Sequence, residues 1–217
     1  MGKRRSRSAW SAWTLWALTV GALGAWVVLS VLNPDSDDAS EFVIFPVAVL
    51  GFATVGNLVT SRRPGDGIGW IFAWIGLAAA TGLMAGAYAD YGIDYSPGSL
   101  PAARFAAWLG RVGFALMIGP FSLIFLLFPD GRVPGPRWRH VLWVLLAALA
   151  VNLIGFAFAP GSVNSGFTEL HRPIANPVSF PFGWKDFVGT VTVVAGFVAL
   201  ACAFLSAIAL FLRFRRA

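Results

Sequence analysis

One arginine, Arg111, interrupts an apolar run that is otherwise long enough to cross a bilayer, FAAWLGRVGFALMIGPFSLIFLLF over residues 105–128. A guanidinium at membrane depth marks an ion pair, a ligand site or a gate, unless its long side chain snorkels to the interface. If the helix enters the membrane near Phe105, Arg111 lies about 9 Å deep at a rise of ~1.5 Å per residue. Asp90 and Asp94, at the outer end of the preceding apolar run, are its natural partners, and Tyr91 stands between them. A structural ion pair or snorkelled anchor fits these residues, and so does a ligand or gating role. Tyr88, Tyr95, Glu169, His171 and Arg172 fall on the same face, either lining an outward-facing pocket or standing in solvated loops.

Groups for covalent chemistry are missing. The chain has no HExxH, GxSxG, Walker-type or glycine-fingerprint motif, and no acid–base cluster within a span. No enzymatic activity and no cofactor are therefore expected. The single cysteine, Cys202, lies mid-way along the last apolar run, so no intrachain disulfide and no cysteine-based metal or redox motif can form. His140 and His171 are separated by a whole span, and no metal site is expected.

The elements that must position these residues follow from composition. Of 217 residues 58% are hydrophobic and 12% charged, with mean hydropathy +0.73. Soluble domains carry about 25% charged residues and lack repeated apolar runs of this length. The sequence predicts an all-α polytopic bundle forming one integral membrane domain. Its six spans lie at about 9–33, 41–60, 68–89, 105–128, 141–158 and 187–212. The first follows Lys3, Arg4, Arg5 and Arg7 and runs too long for a signal-peptide core, so it reads as an uncleaved span. Pro46 sits inside the second span, as membrane helices tolerate. Gly82 and Gly86 give the third a small-xxx-small face for close helix approach. Asn57 and Asn152 are expected to bridge helices by hydrogen bonds. The longest connection, 159–186, is rich in Pro, Gly, Asn and Ser.

Orientation follows from charge. Six spans put both ends on one side, with Lys3, Arg4, Arg5, Arg7, Arg62, Arg63, Arg132, Arg137, Arg139, Arg213, Arg215 and Arg216. Only Arg104, Arg172 and Lys185 fall opposite. Eight acidic residues lie with that smaller group, against two (Asp66 and Asp130) on the basic side. The positive-inside rule then makes both termini cytoplasmic. Basic clusters placed between apolar runs write topology, so the pI of about 10.4 does not point to nucleic acid.

Two turns on the basic side carry a resemblance. RRPGDGIGWIF (62–72) resembles the RRPGNPIGWL-type turn, and LLFPDGRVPGPRWR (126–139) the LLFPDGRLPSPRWR-type turn, in N-terminal membrane regions of bacterial sensor histidine kinases. IANPVSFPFGW (174–184) is similar to the ENPLG-type segment before a later span there. The likeness covers most of residues 50–217, although Asp66-Gly67 replaces the usual Asn-Pro.

No phosphoacceptor-histidine helix or ATP-binding domain is present in these 217 residues. The resemblance thus implies a sensory or anchoring module of the bacterial cytoplasmic membrane, a stand-alone relative or the front of a longer or split gene. It would relay a signal to a cytoplasmic kinase or response regulator, with Arg62, Arg63, Asp130, Arg132 and Arg137 as the expected contacts, and could form homo-oligomers. A small transporter or channel subunit is the alternative, drawing on Asn57, Thr81, Arg111 and Asn152 and on Pro46 and Pro120 as helix breaks. A structural membrane protein without a ligand is the third.

Overall fold

Lipid offers the backbone no hydrogen-bonding partner, so an apolar run must satisfy its own N–H and C=O groups as a helix. The computed structural model describes residues 2–33, 41–63, 65–128, 131, 133, 135–164, 166–167 and 170–215. Its helices are α1 (Gly2–Leu32), α2 (Glu41–Arg62), α3 (Gly67–Asp90), α4 (Ala103–Ile118), α5 (Phe121–Leu127), α6 (Pro136–Phe158) and α7 (Lys185–Phe214). Six segments are long and apolar enough to cross a membrane, with α4 and α5 together making one of them. No strand occurs among the described residues; the nearest approach is an isolated bridge between Ser162 and Ala175. This is the architecture of a multi-pass membrane protein.

Helix α3 is the hub. It packs against α1, α2 and α4, while α6 and α7 pair with each other and join the rest through α4–α6 and α5–α7 contacts. Small residues let α3 sit there. A Cβ on Gly56 of α2 would strike the backbone nitrogen of Ala73, and one on Gly76 would meet the backbone of Ala53 at 3.0 Å. Gly82 faces Gly113 of α4, where an added Cβ would approach the opposing Cα at 3.2 Å. Without a hydrophobic driving force between helices in lipid, such close backbone contact is what holds them. Around this hub the core collects Ala22, Leu23, Val49, Ile75, Ala79 and Met117.

Polar side chains add a clasp to three of the packed pairs, α1–α2, α4–α6 and α6–α7. Trp16 Nε1 on α1 donates to Thr54 Oγ1 on α2 at 3.1 Å. Trp108 Nε1 on α4 donates to the carbonyl of Ala157 on α6 at 2.8 Å. Asn152 Nδ2 on α6 donates to the carbonyl of Thr192 on α7 at 3.1 Å, the bridging role expected of it. Asn57 is different. It is 2% exposed, yet its Oδ1 has no partner among the described residues, and neither does the buried Thr60 Oγ1 one turn on.

The span containing Arg111 is two helices. The chain breaks at Gly119-Pro120, because proline has no N–H to continue the ladder and its ring crowds the preceding turn. Pro46, by contrast, is absorbed within a continuous α2. Helix α3 ends in a wider turn over Tyr91–Tyr95, closed by Ser96 N–H donating to the Tyr91 carbonyl at 2.8 Å.

Candidate functional site

Two groups of residues draw the expected functional positions together, one at each end of α3. The first lies where the 91–102 and 159–184 connections meet. The second is formed by the turns after α2 and α5.

At the first end, the long connection folds down instead of extending into solvent. Val163 and Leu170 are buried in a cluster with Ala89 and Ala107. Asn164 closes a short loop on itself: its Nδ2 donates to the Leu170 carbonyl at 2.8 Å and its Oδ1 accepts from Leu170 N–H at 2.5 Å. Asn176, 5% exposed, donates to the carbonyls of Ala157 and Ala159 at 2.8 and 3.0 Å and accepts from Val178 N–H at 3.1 Å. It thereby adds a second donor to the Ala157 carbonyl, beside Trp108, and satisfies that of Ala159 at the end of α6.

The tip of that connection carries Phe167 into the helices. Its ring meets Phe45 of α2 and Phe114 of α4 edge-on, with centroids at 5.6 and 5.4 Å. The space exists because Gly82 and Gly86 have no side chains. A Cβ on Gly82 would press on the Phe167 ring, and one on Gly86 would overlap the Phe167 carbonyl. The glycine pair therefore serves two purposes: Gly82 admits α4 as well as the ring, while Gly86 admits the loop. Gly166, at φ +76°, makes the turn and rests on Phe114 Cβ and Arg111 Cα.

Arg111 lies beneath this loop, 8% exposed. Its Nη1 donates to the Ser162 carbonyl at 3.0 Å, and the guanidinium stands 4.5 Å over the Phe156 ring. Such stacking is a favourable place for a planar cation. The Nε atom is buried with no hydrogen-bond partner. Asp94 turns to the loop: its Oδ2 accepts from the His171 backbone N–H at 2.6 Å and lies 3.3 Å from the His171 ring. Tyr91 is half-buried with its ring 5.4 Å from that of Tyr95, Asp90 ends α3, and Tyr88 donates to the Pro101 carbonyl at 3.1 Å.

The sequence reading missed Phe167, Ser162 and Asn176. The available signal was four large apolar residues, Val163, Phe167, Leu170 and Ile174, inside a long polar connection; connections of more than about 12–15 residues are usually functional.

At the other end, the two turns touch. Asp66 caps α3 by accepting from Ile68 N–H at 3.0 Å. Gly131, at φ +67°, comes so close that a Cβ there would lie 2.7 Å from Asp66 Oδ1 and 3.1 Å from Gly67 N. Arg62, Arg63 and Arg137 are exposed around this junction. Asp130 and Arg132 lie outside the described residues, as do Asp35, Asp37, Asp38, Glu169 and Arg216.

Among the described residues no three His, Cys, Asp or Glu side chains gather as a metal site would need. No protein-family model, no curated protein and no solved structure matches this chain.

Proposed function

We propose that this chain is a six-span sensory or anchoring module of the bacterial cytoplasmic membrane that relays a signal to a cytoplasmic kinase or response regulator. Both termini and the joined turns would lie in the cytosol, as the distribution of Lys and Arg favours. One observation carries the reading. The two turns whose sequences resemble kinase input regions pack on each other at Asp66 and Gly131, so a shift of α3 relative to α5 would reshape one surface bearing Arg62, Arg63 and Arg137. At the far end of α3, the loop that covers Arg111 and carries Phe167 supplies a place for a stimulus to act. Photo-crosslinkers at positions 62 and 137 in intact cells test it. Recovery of a histidine kinase or response regulator supports the relay; recovery of only a permease or of lipid sinks it.

A transporter or channel subunit is the second reading, favoured by the break at Gly119-Pro120 and the unpartnered Asn57 and Thr60 oxygens. Transporters built on broken helices usually show them in pairs. Here α2 runs through Pro46 unbroken, which weakens that reading. Solute or ion flux across proteoliposomes would favour it.

A further inference from the structure

The loop at Arg111 holds two chemically different groups in place at once. Its Ser162 carbonyl takes a proton donor of the buried guanidinium, and its Phe167 ring fills the notch between α3 and α4. Gly166, between Ser162 and Phe167 in the chain, packs on α4 near Arg111 Cα and Phe114 Cβ. A neutral carbonyl is a weak partner for a guanidinium with five donors, and Nε remains buried and unused. A carboxylate would take two of those donors in parallel and bond more strongly. The notch itself is walled by two edge-on rings, Phe45 and Phe114, and floored by Gly82, with Gly86 beneath the Phe167 backbone. It accepts a flat ring.

We propose that this is a binding site for a small aromatic carboxylate, and that the loop is its built-in competitor, with Phe167 standing in for the ring and Ser162 for the carboxylate. The proposal rests on the sensory reading above and supplies its ligand class. Binding draws the loop out of the bundle at one end of α3, which is the hub that also carries the Asp66 junction at its other end. Because the site is occluded by its own loop, apparent affinity is reduced by the fraction of molecules in the open form.

The test is direct titration of the purified full chain, in neutral detergent and again in zwitterionic and in anionic-lipid nanodiscs. Benzoate, phenylacetate and 3-phenylpropionate are compared with their uncharged amides, by calorimetry and by thermal unfolding. At least one acid should bind saturably and its amide at least about tenfold more weakly, since the amide forfeits the charge-assisted pair. Phe167→Ala should tighten acid binding about tenfold if the loop is docked in some nine molecules of ten. Gly86→Ala should act in the same direction by a different route, because its methyl collides with the Phe167 carbonyl, and all three atoms nearest to it belong to Phe167. Arg111→Gln should abolish the preference for acid over amide, and Arg111→Lys should weaken it.

Equal binding of acid and amide would overturn the proposal, as would no binding of any acid, or an affinity unmoved by both loop variants. Stabilisation by anionic-lipid nanodiscs alone also overturns it, since the site would then be a headgroup contact. No signalling partner is present in the titration. Binding with no kinase partner would leave this site standing while the relay falls, and the reverse result would do the opposite.

Discussion

The carboxylate of Asp94 accepts a hydrogen bond from the backbone N–H of His171 at 2.6 Å, tying the end of α3 to a connection 77 residues further along the chain. The His171 ring, 3.3 Å from the same oxygen, is 77% exposed and contributes far less. Asp94→Ala is therefore expected to cost about 1–3 kcal/mol, the usual range for removing a partly buried charged acceptor. His171→Ala should leave stability nearly unchanged, as exposed ion pairs do. Unfolding both variants in the same detergent separates the cases. Equal losses would mean that the ring, not the backbone, makes the tie.

Asn176 is the second anchor of that connection. Asn176→Ala takes the donor from the Ala159 carbonyl, just after α6, and one of two donors from that of Ala157, which keeps Trp108. The change should cost about 1–3 kcal/mol. Asn176→Asp should be worse, because it aims a carboxylate at those same carbonyls. Limited proteolysis within 159–184 gives the readout, with cleavage faster in the order wild type, Ala, Asp.

At the opposite end, Gly131→Ala should disturb α3, although it lies beyond α5. The left-handed backbone at Gly131 costs a Cβ-bearing residue roughly 1–2 kcal/mol. The new methyl also displaces Asp66 from its cap, worth ~1 kcal/mol. Asp66→Ala removes that cap directly, so the double variant should lose less than the two single losses combined. Strict additivity would show that the turns do not act on each other.

Two glycines of α2 make a paired comparison. At Gly51 an added Cβ meets nothing within 4 Å, whereas at Gly56 it strikes Ala73 of α3. Gly51→Ala should stabilise slightly through helix propensity, by up to ~1 kcal/mol. Gly56→Ala should destabilise and separate α2 from α3, as read by loss of cross-linking between cysteines placed on the two helices.

Much of this bundle was legible from hydropathy, and the described helices show why. The predicted spans at 41–60 and 141–158 fall within α2 and α6, because lipid forces a helix wherever an apolar run crosses it. Asn152 was readable as a clasp because an amide among packed helices gains by donating to a neighbouring carbonyl. Yet Asn57, more deeply buried, leaves its Oδ1 without a partner among the described residues. The break at Gly119-Pro120 was harder, since Pro46 in a similar setting leaves α2 intact. The presence of a proline alone does not separate the two outcomes. The loop site was least legible. Phe167 reaches Gly82 and Gly86 from more than 80 positions away, and no local periodicity records that meeting. Likewise Asp94 looked like a partner for Arg111 by proximity in the membrane, but the wide turn at Tyr91–Tyr95 delivers it to His171.

The relay stands or falls with the side of the membrane on which Asp66 and Gly131 meet. With Cys202 replaced by alanine, single cysteines are placed at 63, 137, 97 and 172 and exposed to a membrane-impermeant maleimide on intact spheroplasts. Labelling at 97 and 172 alone, with 63 and 137 reacting only after lysis, is the expected result. Labelling at 63 or 137 in intact cells would put the joined turns outside and contradict the account.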